Sequence, residues 1–346
     1  MNSARLSLGL ALCLLSGSPR SQATEPAAVA HLEDFSSDPL SHGWTIFGDD
    51  ELFQWDSSAG SLAMTWDSSH TNSYFELPLG TVLTRRDDFR ADLDLEFHDI
   101  AAGVGPDKIG TFQIAFGFLN RLNAHSPKFI RGTANDSPNL VEFNFFPSSE
   151  DIFPTVWPAI YSTNSVLNYR PSGADFTTNL DLPLHTPLQI SLAYTASNET
   201  ASITITSSGA LVGPVASTKL THGEPGTRVF TEFEVDTFAL ISYSDAGQPP
   251  SFYVGSVLAH ATLHRILVTT PSPPILGIEG KRGLAGWEVS FQSLTHWSYR
   301  LQASAQLREW ASVGEATDGN GASLVLRDTF TPGTPSRFYR VVAERR

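Results

Sequence analysis

Short segments in which apolar and polar side chains alternate dominate the sequence between residues 31 and 268. In FRADLDLEF (89–97) every second residue is apolar and the residues between are mostly charged, and NLVEFNFF (139–146) and LQISLAYT (188–195) are built similarly. A period of two is the side-chain repeat of a β-strand, and Gly, Pro, Asn, Asp and Ser separate the segments as turns. The pattern predicts one antiparallel jelly-roll sandwich with Leu93, Ile114 and Phe143 inside.

A proline-rich stretch, TPSPPI (270–275), divides this region from the end of the chain. Prolines donate no ladder hydrogen bonds, so a stiff linker is expected here. Segments such as GWEVSFQS (286–293) and SRFYRVVAE (336–344) follow. They predict a small β-sandwich of immunoglobulin or fibronectin type III character, with Trp287, Trp297 and Trp310 in its core. Two units are therefore predicted, an all-β jelly roll of residues 24–271 and a small β-sandwich of residues 272–346.

The first residues have the pattern of a secretory signal. Arg5 precedes an apolar run, Leu6–Leu15, and small residues lead up to Ala23. The run is too short to span a membrane as a helix. We expect cleavage near Ala23 and an extracellular or periplasmic protein. The single cysteine, Cys13, lies inside this segment, so a disulfide-free mature chain is predicted.

The charge of the chain restricts its partners. Residues 24–271 hold 11 basic and 29 acidic residues, a net charge of −18. Residues 272–346 hold 9 basic and 7 acidic residues. So acidic a unit is repelled by nucleic acid and by anionic lipid. Neutral ligands or Ca²⁺ suit it better, although solubility alone also explains the charge.

LVEFNFFPSSED (140–151) resembles the metal-binding strand of legume lectins. In that family a Glu, an Asp, an Asn and a later Asp hold a Ca²⁺/transition-metal pair beside the sugar site. The matching residues here are Glu142, Asn144, Ser148 and, more loosely, Glu150 or Asp151. Asn144 and Ser148 replace a carboxylate and an amide, and Ca²⁺ needs six to eight oxygens. The resemblance therefore implies at most one Ca²⁺, at Glu142, Asn144 and Asp151, and an ordinary strand explains the residues as well.

The wider region also resembles concanavalin A-like and laminin G-like domains of secreted bacterial proteins. The segments that carry this likeness are SYFELPLG (73–80), TFQIAFGFLN (111–120), LVEFNFFP (140–147) and FEVDTFALISYSD (233–245). SYRLQASAQLREWASVG (298–314) resembles the β-sandwich tails of such proteins. The likeness implies a protein that binds glycans or a cell surface, with glycoside hydrolases as the minority alternative, and fold analogy alone does not choose between them.

Catalysis would require paired carboxylates. TEFEVD (231–236) is expected to place Glu232, Glu234 and Asp236 on one strand face, where laminarinase-type glucanases of this fold carry their acids. The order of the acids departs from that family's pattern, and the Trp beside its motif is missing. A solvated strand face explains these residues equally well.

Sugar binding would require exposed aromatic rings. FPTVWPAIYSTN (153–164) contains Trp157 and Tyr161 close to prolines, which predicts a long loop. Rings presented on loops stack on the apolar faces of sugars. Trp157 is the best candidate for a ligand contact, with Tyr161 beside it, although packing of the loop is the alternative role.

Overall fold

The computed structural model describes residues 28–129, 131, 138–149, 153–164, 179–220, 232–248, 254–283, 286–329 and 337–346. The predicted signal segment, residues 1–23, lies outside them, so export stays a prediction. The described chain forms two compact units that meet in sequence between Pro273 and Pro274. No helix in these ranges is long and apolar enough to cross a membrane.

The larger unit is built almost entirely of strands. Its only α-helix in the described ranges is α1, Arg121–Ala124, and two 3-10 turns cover Pro39–His42 and Asp50–Leu52. The strands are β1 Val29–Glu33, β2 Thr45–Phe47, β3 Phe53–Asp56, β4 Ser61–Asp67, β5 Ser73–Thr84, β6 Phe89–Ala102, β7 Gly110–Thr111, β8 Ile114–Leu119, β9 Leu140–Phe146, β10 Thr155–Tyr161, β11 Leu188–Thr195, β12 Thr200–Ser207, β13 Ala210–Leu211, β14 Ala216–Lys219, β15 Glu234–Ser242 and β16 Gly255–Thr270.

These strands form two sheets. The large sheet has the order β13-β12-β11-β6-β16-β4-β3, with β1 and β7 added to β16 and β14 added to β12. The small sheet has the order β10-β9-β8-β15-β5-β2. Apart from the parallel pair of β7 with β16, all pairings are antiparallel. The predicted all-β, antiparallel jelly-roll sandwich is confirmed.

The core lies between the sheets, where aromatic rings from both meet. Trp66 of the large sheet contacts Phe116 of the small sheet with ring centroids 5.5 Å apart, and Phe89 contacts Phe118 at 4.6 Å. Along β6, buried apolar residues alternate with partly exposed ones. Leu93, Ile114 and Phe143 are fully buried. The predicted alternation is therefore confirmed on β6, whereas β8 and β9 are buried on both sides.

The smaller unit contains six strands in the described residues, β17 Leu276–Arg282, β18 Gly286–Gln292, β19 Trp297–Ser304, β20 Ala311–Asp318, β21 Ser323–Thr329 and β22 Phe338–Arg345. They form two three-stranded sheets around a core that includes Phe291 and Tyr299. Trp287 and Trp297 pack against this core as predicted. The prediction for Trp310 is wrong, because the Arg340 guanidinium stacks over its ring at 4.4 Å and the ring does not join the core cluster.

Candidate ligand-binding site

The side of the small sheet that faces away from the large sheet carries buried charges. Phe116 and Phe143 are paired across β8 and β9 and belong to the core face, so the alternate residues Gly117 and Glu142 point the other way. Continuing across the sheet, Gly117 is paired with Ala239, and Ala239 with Glu76. We call this side, defined by the row Glu142, Gly117, Ala239 and Glu76, the polar face.

Glu142 lies on this face in a buried ion pair. Its Oε2 accepts a hydrogen bond of 2.6 Å from Nη2 of Arg131, and its Oε1 accepts one from the Tyr243 hydroxyl. The side chains of Glu142 and Arg131 are 0% and 5% exposed. The Arg131 guanidinium also lies over the rings of Tyr161 and Tyr243, at 5.1 and 5.2 Å. The carboxylate is thus neutralised and held in place from two sides.

Glu76 is the second buried acid of the polar face. Its Oε1 accepts hydrogen bonds from Nε of Arg121, at 2.8 Å, and from Oγ1 of Thr45, at 3.1 Å. Its Oε2 lies 2.9 Å from Nε2 of His125. The His125 ring stacks on Phe47 with centroids 3.9 Å apart. Glu76 therefore fixes the segment that begins with α1 against the sheet.

Two tyrosines on the same face are kept in their neutral form. Burial, and then the nearby Glu142 carboxylate, raises the pKa of both Tyr74 and Tyr243 above the usual tyrosine value. The Tyr74 hydroxyl donates a hydrogen bond of 3.2 Å to the Ala124 carbonyl oxygen. Both hydroxyl groups therefore stay protonated at neutral pH and donate hydrogen bonds. Their ionisation would add a second negative charge beside Glu142.

The row between the two acids consists of small residues. Gly117 and Ala239 separate Glu142 from Glu76, so three strand spacings of about 4.8 Å place the Cα atoms of the acids about 14 Å apart. A Cβ on Gly117 would lie 2.5 Å from the Val141 carbonyl oxygen. The close approach of β8 and β9 therefore requires glycine here.

Asn144 contributes an unusual buried amide. It is 0% exposed, and neither its Oδ1 nor its Nδ2 has a hydrogen-bond partner among the described residues. It lies directly opposite Trp157 on β10 and Ala115 on β8. A buried polar group without a partner costs about 1–3 kcal/mol. Such a group calls for an internal water molecule or a ligand atom beside it.

A cavity of about 470 Å³ opens where the polar face reaches β2. Its size is in the range of small-molecule sites. The lining combines aromatic rings with hydroxyl and amide groups and, among the described residues, contains no carboxylate and no Lys or Arg side chain. The lining residues are Phe47, Gly48, Thr71, Asn72, Ala124, His125, Ser126, Pro127, Phe129, Ser244, Ala246 and Gly247.

The walls of this cavity are held by contacts between distant parts of the chain. The side chain of Asn72 donates to the Phe129 carbonyl oxygen, at 3.0 Å, and accepts from the Ser244 backbone N–H, at 2.8 Å. His125 contributes the stacked ring on Phe47 and is itself tied to Glu76. The cavity is therefore preorganised for a neutral, partly apolar ligand.

The predicted binding loop around Trp157 is wrong. Trp157 and Tyr161 lie on β10, paired with β9, and are only 7% and 5% exposed. The prolines suggested a loop, but β10 is an edge strand of the small sheet, where a proline such as Pro158 costs no ladder hydrogen bond on its open side. A ligand role for the two aromatic residues stays a prediction, because nothing in the structure tests it.

The residues around Glu142 do not fit a calcium ion. Arg131 supplies the positive charge beside its carboxylate, where Ca²⁺ would need several oxygen ligands. Asn144 is buried next to Trp157, and Asp151 lies outside the described residues. The described part of the chain therefore assembles no calcium site at this strand.

Glu232, Glu234 and Asp236 occupy the outward positions of a stretch in which Phe233 and Val235 are buried, as the period of two predicts. Glu232 precedes β15 and accepts the Arg85 backbone N–H at 3.0 Å, whereas Asp236 accepts the N–H of Arg121 at 2.9 Å. Glu234 is exposed, and a register shift follows it between Val235 and Thr237. The alternation of buried and outward residues continues through Asp236, which lies at this register shift. The first and last acids are thus bonded to different backbone segments, and a catalytic role for the three stays a prediction.

Sequence reasoning missed the residues that organise the polar face, namely Glu76, Arg121, His125 and Arg131. Glu76 did carry a signal, since SYFELPLG (73–80) places a single acid inside an apolar strand. Such an acid requires a cationic partner if both faces of the strand are covered. The partners, however, lie 45 and 49 residues away in sequence.

No protein-family model matches this chain, and no curated protein matches it in sequence. Solved structures similar to it include lectin UEA-II complexed with galactose, 11% identical with a TM-score of 0.43, covering 70% of this chain and 99% of that one. The Lotus tetragonolobus seed lectin is 12% identical with a TM-score of 0.41, and the match covers 70% of this chain and 98% of the lectin. The cellulose-induced protein Cip1 is 9% identical with a TM-score of 0.38, and the match covers 68% of this chain and 96% of Cip1. The structural neighbours are thus legume lectins and Cip1 at low identity, and these values assign this chain neither a family nor a ligand.

Proposed function

We propose that this chain is an exported, non-catalytic carbohydrate-binding protein whose ligand site is the cavity at the β2 edge of the polar face. The observation that carries the proposal is the lining of this cavity. Aromatic rings from Phe47, His125 and Phe129 stand beside hydroxyl and amide groups, without formal charge from carboxylates, Lys or Arg in the described lining. Sugars present the same combination, an apolar ring face with hydroxyl groups at its edge.

Binding is favoured over hydrolysis by the positions of the acids. Paired-carboxylate glycosidases keep their two carboxyl groups about 5–9.5 Å apart across an open site. Glu76 and Glu142 are both fully buried and both are bonded to arginine, so neither carboxylate lies in an open site. They stabilise the walls of the site in this proposal and do not attack a substrate.

The sequence supports the remaining parts of the proposal. The N-terminal signal pattern with cleavage near Ala23 supports secretion to the extracellular space or periplasm. The net charge of −18 over residues 24–271 favours neutral glycans or a cell-surface ligand over nucleic acid. The likeness to secreted bacterial proteins supports a bacterial surface role, with residues 272–346 as a spacer or second contact.

A glycan array, run beside a reducing-sugar assay on soluble polysaccharides, tests the proposal. The sample is the chain without residues 1–23, with and without a chelator. We expect binding to neutral glycans, no release of reducing ends, and no effect of the chelator, because the described residues form no calcium site at Glu142. Release of reducing ends would overturn the non-catalytic assignment. An array without any bound glycan would overturn the carbohydrate assignment.

A further inference from the structure

A cluster of two histidines and one glutamate lies on the solvent face of the large sheet, the side of the sandwich opposite to the polar face. Glu96 and His98 project from β6 at positions two apart, and His185 lies shortly before β11, the neighbour of β6. One ligand atom from each of the three side chains lies within 4.8 Å of the other two. None of these residues belongs to the polar face or lines its cavity.

The hydrogen bond of His98 prepares the ring for coordination. Its Nε2 lies 2.7 Å from Oγ1 of Thr262 on the adjacent strand β16. With Nε2–H donating to this hydroxyl, the lone pair resides on Nδ1, which lies 3.9 Å from Oε1 of Glu96. Two ligand atoms with bonds of about 2.1 Å to one ion are at most about 4.2 Å apart. Nδ1 and Oε1 therefore lie within reach of a single ion.

His185 is also positioned by the backbone. Its φ of 52° is in the left-handed region, which is unusual for a residue with a side chain. Its N–H donates a hydrogen bond of 2.8 Å to the carbonyl oxygen of Phe97, which lies between the two prospective co-ligands in sequence. The ring centroids of His98 and His185 are 6.1 Å apart. The third ligand is therefore brought to the cluster by the fold.

We propose that Glu96, His98 and His185 form a binding site for a divalent transition metal of the Zn²⁺ class. Two imidazoles and one carboxylate are a donor set that suits Zn²⁺ and its neighbours, whereas Ca²⁺ and Mg²⁺ prefer oxygen alone. Three protein ligands leave a fourth position of a tetrahedral ion to water or to an external ligand. The ion links the segment before β11 to β6.

Calorimetric titration with ZnCl₂ tests the site, using the full chain without a histidine tag and after chelator treatment. The wild-type chain is expected to show a zinc site that disappears in His98→Ala and in His185→Ala. His260→Ala is the matched control, because His260 lies on the same sheet but is paired with Asp99, at 2.7 Å. This control is expected to bind like the wild type.

Thr262→Val tests the orienting hydrogen bond separately. Loss of such an outer partner typically weakens metal binding 10–100-fold, so we expect about a tenfold loss with the fold unchanged by circular dichroism. Other histidine–acid pairs, such as His70 with Asp49, are present in every variant. Any zinc that they bind contributes equally to all of the titration curves. If the titration curves of the wild type, His98→Ala and His185→Ala superimpose, the proposal is wrong.

Discussion

The Arg131 guanidinium and the Glu142 carboxylate form an ion pair with Nη2 and Oε2 2.6 Å apart, and almost none of either side chain reaches solvent. Removing one member leaves the other charge buried, which typically costs about 3–5 kcal/mol. We therefore expect Arg131→Met or Glu142→Gln to lower the free energy of unfolding by about 3 kcal/mol or more, measured by denaturant titration.

The double variant Arg131→Met/Glu142→Leu separates charge pairing from shape. It is expected to be less destabilised than the sum of the two corresponding single variants, because no unpaired charge remains. Additive effects of the single variants would contradict a direct ion pair.

Gly117 allows β8 and β9 to approach each other below the polar face. A Cβ at this position would meet two backbone atoms of β9, at 2.5 and 2.9 Å. We expect Gly117→Ala to destabilise the chain by about 1–3 kcal/mol through overpacking. Gly283→Ala is the matched control, since its φ is outside the left-handed region and its Cβ would meet only the Glu288 side chain, at 3.5 Å. Equal stabilities of Gly117→Ala and the wild type would contradict the close approach.

Trp157 is a packing residue of β10 in this structure, so its replacement is expected to affect stability first. Trp157→Ala should lower the free energy of unfolding by about 3–5 kcal/mol, as for other buried aromatic residues. Trp157→Phe keeps much of the buried area and should cost clearly less. An alanine variant as stable as the wild type would instead support an exposed, ligand-contacting Trp157.

Tyrosine ionisation provides a pH test of the polar face. The pKa values of Tyr74 and Tyr243 are raised in the folded chain by burial and by Glu142. Their contribution to stability is complete below the unfolded value of about 10 and is lost as the pH rises through the folded value. In absorbance titrations at 295 nm, both should ionise only when the chain unfolds, whereas all eight tyrosines titrate near 10 in denaturant. Tyr243→Phe should reduce the late-ionising signal by one tyrosine, and an unchanged late signal would contradict this assignment.

The period of two was sufficient to predict strands such as β6 and their core faces, because Leu93 is buried through its own local pattern. It was insufficient for the polar face. On β9 both sides are buried, so the alternation that distinguishes a wet side from a dry one is absent around Glu142. The partners that make this burial possible come from separate parts of the chain, Arg131 before β9 and Tyr243 after β15. Such non-local pairing is invisible in a one-dimensional pattern.

The cavity was equally inaccessible to sequence reasoning. Its aromatic wall joins Phe47 of β2 to His125 after α1, and its polar wall joins Asn72 to Ser244. The prolines near Trp157 are compatible with a loop, which the sequence analysis predicts, but an edge strand tolerates proline as well.

Blocking the cavity tests the proposed ligand site most directly. Ala246 is an exposed residue of its lining, so Ala246→Trp fills the space without removing a core contact. Ala63→Trp is the matched control, because Ala63 is an exposed alanine on β4 of the large sheet. Calorimetric titration with the strongest glycan from the array should show at least about a tenfold weaker affinity for Ala246→Trp, equivalent to about 1.4 kcal/mol, and wild-type affinity for Ala63→Trp. Equal affinities of Ala246→Trp and the wild type would place the glycan elsewhere and contradict the account.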